Sequence, residues 1–161
     1  MGKGKGKLCE ICVTASEKDG CIVFAAKSDL PYHRSAHGID TFTFEKKGND
    51  MFREDFHLVQ FTLVDKTTRN LRFPQNPEAA LWACLAADQS NPQDSCPKTK
   101  PSIPSDQLKG LAVLNNHFLL AVNYNSIMGQ QVAFALNFLG DDLPGGGVQW
   151  DPIGNNQNGG K

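Results

Sequence analysis

No segment of this chain approaches the roughly 20 consecutive apolar residues that a membrane-crossing helix needs, so no membrane partner is expected. A basic surplus is missing too. Lys and Arg total 16 against 17 Asp and Glu, whereas a nucleic-acid binder needs excess cations to displace the counterions of the phosphates. Outside Lys3, Lys5 and Lys7 there is no basic cluster, which argues against nucleic acid as a partner. No export signal is legible: after the charged opening, Cys9, Glu10, Cys12 and Thr14 interrupt what would have to be an apolar core. The expected location is cytoplasmic. Gly-x-Ser-x-Gly, a phosphate-binding loop and Gly-x-Gly-x-x-Gly behind a strand are all missing, so no cofactor is expected. Gly145-Gly146-Gly147 reads as hairpin punctuation. Paired cysteines are not implied either, because five is an odd number in a chain without an export signal.

Cys9 and Cys12 have the spacing of a metal knuckle, but they lie in an alternating run in which residues three apart face opposite ways. Like Cys21, they read as small hydrophobes rather than zinc ligands. Cys84 and Cys96 flank a proline-rich connection and could pair only if their Cα atoms came within about 7 Å.

What the sequence does contain is period-two alternation. A chain of 161 residues fits one domain, and Gly 15 with Pro 9 suits short strands joined by turns. Residues 8–14 and 21–26 predict a hairpin turned by residues 17–20, and residues 29–38, with Pro31, a loop. Residues 41–44 predict a strand that turns Phe42 and Phe44 inward. In the next strand His57, Val59, Phe61 and Leu63 share a face. Asn76, Pro77 and Glu78 form a helix start, and residues 79–87 have the composition to continue it. Residues 88–106, with four prolines, predict a surface connection. Residues 108–114, 117–124, 130–139 and 148–153 predict the remaining strands, with hairpin loops at 125–129 and 141–147.

The expected fold is therefore a mainly β, antiparallel two-layer sandwich, immunoglobulin-like or jelly-roll-like, with one short helix. Residues 8–153 form the single domain, residues 1–7 a flexible basic arm and residues 154–161 a disordered tail. The run Val132-Ala133-Phe134-Ala135-Leu136-Asn137-Phe138, a Gly/Asp turn and then Gln149-Trp150-Asp151-Pro152-Ile153 resemble the ending of bacterial inclusion-body proteins of the PixA/AidA type. The resemblance implies a bacterial β-sandwich and brings no active site.

Three functional readings follow. The strands of residues 108–153 carry as charges only Lys109, Asp141, Asp142 and Asp151. Charge normally keeps strand edges apart, so the leading expectation is a non-catalytic binding or self-assembly module that forms a homo-oligomer. A second reading gathers Asp141, Asp142, Asp151, Asn155, Asn156 and Asn158 as oxygen ligands of calcium, with Trp150 stacking on a carbohydrate. A third is a His/Cys metal-dependent enzyme. His33 and His37 have i, i+4 spacing, and His57 with Asp55 could join them in space, although Pro31 and Gly38 confine the first pair to a short loop.

Overall fold

The computed structural model describes residues 4–46, 54–85, 98–102, 104–127 and 129–158. Alternation governs it from the first strand. In β1 (Gly6–Lys18) Cys9, Ile11, Val13 and Ala15 are buried while their neighbours face outward. β2 (Cys21–Ser28) returns antiparallel through a two-residue turn, Lys18 registering with Cys21. Asp19 and Gly20 both have positive φ, 52° and 78°, the mirror-image turn whose twist matches a hairpin.

The chain then crosses to a second layer, forming β3 (Tyr32–Arg34) and β4 (Asp40–Lys46), and comes back as β5 (Phe56–Asp65). After α1 (Pro77–Ala80) and β6 (Leu81–Leu85) follow β7 (Leu108–Asn115), β8 (Phe118–Asn123), β9 (Gln130–Leu139), β10 (Gly147–Trp150) and β11 (Ile153–Asn158). Sheet A runs β2-β1-β5-β8-β7. In sheet B, β9 is central. β10 pairs with its residues 136–139 and β11 with its residues 130–133, so these two lie end to end along one side of it, while β6 takes the other side. β11 also joins β4, and β3 completes the layer.

The two sheets stack face to face. Phe61 of β5 meets Phe134 of β9 with ring centroids 5.9 Å apart, and Phe24 of β2 meets Phe138 at 5.8 Å. Phe42, Phe44, Phe61, Phe73, Phe134 and Phe138 are all fully buried, each contributing about 1.5–3 kcal/mol of transfer free energy.

The mainly β, two-layer architecture with one short helix agrees with the sequence, but the sheets are mixed rather than purely antiparallel. β1 pairs parallel with β5, and β4 parallel with β11. Parallel neighbours need a long crossover, and the excursion through β3 and β4 supplies one between β1 and β5.

Other expectations are also revised. The helix begins as read, Asn76 Oδ1 accepting from the Glu78 N–H at 2.9 Å, but ends after one turn at Ala80. Leu81–Leu85 are a strand because β9 has an open side to fill, and pairing there buries Leu81 and Ala83. A single turn is only a helix nucleus, and tertiary pairing overrides propensity. Close approach of α1 to β7 requires Gly110, whose Cβ would sit 2.6 Å from the Pro77 carbonyl oxygen. Residues 32–34, expected in a loop, form β3. The expected hairpin at 125–129 is a passage from sheet A to sheet B. Gly154–Asn158, expected in a disordered tail, belong to β11, and the expected arm is engaged from Lys5, whose N–H donates to Asp55 Oδ1 at 2.8 Å. Cys96 and most of the proline-rich connection lie outside the described residues.

Candidate functional site

The residues proposed for calcium and sugar do not converge. Asp141 is exposed and pairs with Arg72 Nη1 at 3.4 Å. Asp142 occupies a turn at φ 56°, and its backbone carbonyl accepts from Arg69 Nη1 at 3.2 Å. Both lie just past Leu139, at the end of β9 opposite to Gln131, the partner of Asn155. Eight residue steps separate Gln131 from Leu139, about 26 Å at ~3.3 Å per residue, whereas calcium ligands must all lie within about 2.6 Å of one ion. Asn155 Oδ1 accepts from Gln157 Nε2 at 2.9 Å. Asp151 sits in the break between β10 and β11, half-buried, and burial pushes its carboxyl above the usual range.

Trp150 is not a stacking platform. It is 5% exposed, packs edge-on to Phe42 at 5.8 Å, and its Nε1–H donates to Asp40 Oδ2 at 2.9 Å.

The histidines stay apart. His33 is exposed on β3 and His37 in the following turn, while His57 is buried near the start of β5. Among the described residues no three of His, Cys, Asp and Glu gather in metal-binding geometry. Cys9 faces the core, where burial pushes its thiol up to about 12, and Cys12 faces the other way. A thiol so raised is not a nucleophile at neutral pH.

Two polar clusters in the interior were not legible as sites. Around Asp40, at the start of β4, four donors converge: Tyr32 Oη–H, Arg34 Nε–H, Arg34 Nη2–H and Trp150 Nε1–H. Burial opposes ionisation of Asp40, but the bonds from Arg34, Tyr32 and Trp150 outweigh it and hold the carboxyl below its usual range. Arg34 also donates to the Phe24 carbonyl at 2.7 Å, so one guanidinium ties the free edge of β2 to sheet B.

The far end of β4 holds a second cluster. Asn123 of β8 and Asn156 of β11 exchange amide hydrogen bonds of 2.8 and 3.2 Å across the sheets. Asn125 Nδ2–H donates to the Phe44 carbonyl at 2.9 Å, and Lys46 Nζ to that of Tyr124 at 2.8 Å. His57, opposite Asn123 in the ladder, is 2% exposed; burial first, then the charge of Lys46, depress its pKa to about 4. One signal was available in the sequence: Asn123 continues the inward face of Leu119 and Ala121, so a polar residue there needs a buried partner.

A further feature is the outer face of sheet A. From Leu8 onward its outward positions include Val23, Leu58, Val64, Leu120 and Val122, and the charges among them are Glu10, Lys18, Lys27 and Lys109. Leu8 is 63% exposed, Val23 39% and Val64 37%. Among the described residues no helix is long and apolar enough to cross a membrane. No protein-family model matches the chain, and no curated protein matches it significantly.

Proposed function

We propose that this protein is a non-catalytic self-assembly module whose working surface is the outer face of sheet A, where it binds a second copy of itself. One observation carries the reading: five adjacent strands present an outward face with four charges, Glu10, Lys18, Lys27 and Lys109, and with Leu8, Val23 and Val64 open to solvent. Leu8 stands beside Leu58 at one end of this face, and Val23 and Val64 lie near the other; apolar surface left exposed on a sheet face marks an interaction site. Glu10 and Lys27 lie on the same face, so a two-fold related copy can set opposite charges against each other.

Sedimentation velocity at about 10 μM, where a dimer with micromolar Kd is populated, tests the proposal. The wild-type chain is expected to sediment as a dimer or larger species, and Leu8→Lys combined with Val64→Lys as a monomer. Both positions are exposed, so the substitutions should change stability by no more than about 0.5 kcal/mol each. A wild-type monomer at that concentration, or an oligomer that survives both lysines, overturns the reading.

A further inference from the structure

A cleft of about 440 Å³ lies between α1 and β6, the start of β7 and the residues Lys100, Pro101, Ser102, Pro104 and Ser105 that precede β7. Its buried lining is Leu81, Ala83 and Leu108, and Trp82 stands half-buried beside them. This volume falls within the range of small-molecule sites.

Its polar groups are mostly donors. The Ala83 carbonyl accepts from the Ser105 N–H at 2.7 Å, outside the β6–β9 ladder. In an antiparallel strand the N–H and C=O of one residue point the same way, so the Ala83 N–H also points away from β9. The Ser105 hydroxyl accepts from the Gln107 N–H at 3.0 Å, which leaves its own proton to donate. Lys100 and Lys109 stand in the lining against a single carboxylate, Glu78.

We infer that this cleft binds a compact organic acid, a carboxylate carried on an aromatic or branched aliphatic body. The body packs on Trp82, Leu81 and Leu108, and the carboxylate takes the donors and the cationic flank. An added peptide strand fits less well, because two edge positions of β6 are already used: the Leu81 N–H by Pro77 and the Ala83 carbonyl by Ser105. Strand addition needs those groups free. The cleft borders the outer face of sheet A at Lys109, so the variant that tests it is placed at Lys100, which is not on that face.

Titration of 4-phenylbutyrate into the full chain, followed by amide and indole NMR shifts, tests the inference. Saturation with a Kd of about 0.1–1 mM is expected, with shifts centred on Trp82, Ala83, Ser105 and Gly110. The neutral analogue 4-phenylbutanol and the variant Lys100→Glu should each weaken binding about tenfold. Failure to saturate by about 10 mM, equal binding of the alcohol, unaltered binding by Lys100→Glu, or shifts scattered over sheet A would overturn it. Tighter binding of a strand-forming peptide at β6 would overturn it as well.

Discussion

At the start of β4 the sandwich buries a charge and surrounds it; at the far end it buries neutral amides that satisfy one another. Asp40 is 2% exposed and accepts from four donors, one of them a guanidinium. Asn123 and Asn156 are 1% and 0% exposed and exchange two hydrogen bonds with no charge involved. Both clusters tie sheet A to sheet B, yet they differ in how they fail. Removing a cation strands a buried anion, whereas removing one amide strands a dipole. Charged groups lose several times more solvation than neutral ones on burial, so the two ends should respond very differently to single substitutions.

The largest effect is expected from Arg34→Met, which leaves Asp40 ionised and under-paired. Urea denaturation at pH 7 should show a loss of about 4 kcal/mol, shrinking in acid as the unpaired, buried Asp40 of the variant takes up a proton. A loss under about 1 kcal/mol would mean that the ion pair behaves like a surface one and that the contrast between the ends is false.

Acid should act chiefly on the opposite end. His57 has a folded pKa of about 4 against 6.5 for a free histidine, so between those values the unfolded chain binds the proton and the folded one does not. Its contribution is constant above pH 6.5 and is lost as pH falls toward 4, by about 3 kcal/mol at 1.36 kcal/mol per unit. In the His57→Phe variant, the difference from wild type should shrink over that range. A difference that is flat from pH 7 to 4 would remove His57 as the acid-sensitive group.

A smaller effect is expected for the amide pair. Asn156→Ala should cost about 2 kcal/mol because Asn123 loses its partner in the core, while the double replacement Asn123→Leu with Asn156→Leu should recover most of that loss. If the double variant is as unstable as the sum of the singles, the pair is not a closed unit.

These clusters also show where sequence reading works and where it stops. The inward faces of β4 and β5 and the Asn76 cap depend on neighbours a few residues away and are present as read, while the hairpin turn read over residues 17–20 is tightened to Asp19-Gly20. Trp150 and Asp40 are 110 residues apart and Asn123 and Asn156 33 apart, and no periodicity links such positions. Trp150 therefore read as an exposed sugar platform although its indole fills the core. The Asn-rich stretch at 154–158 read as disordered because polar composition normally is; one of its amides is fully buried and the strand is held on both sides. Leu81–Leu85 read as helix because propensity does not register an unfilled strand beside it.

β11 has a consequence for how the chain is made. β4 and β9 become neighbours only through this strand, and its Ile153 registers with Thr41, more than 100 residues earlier. At about 5–20 residues per second a ribosome needs roughly 6–22 s to travel from one to the other. Throughout that interval the nascent chain carries β4, with Phe42 and Phe44, as an edge lacking this neighbour, and once Leu139 is made β9, with Phe134, waits for it as well. Such edges are what holding chaperones bind and what unfinished copies use to stick together. Sheet B is thus finished only after residue 158 has been synthesised, and it is finished by the strand Ile153–Asn158, which ends in four consecutive Asn and Gln residues.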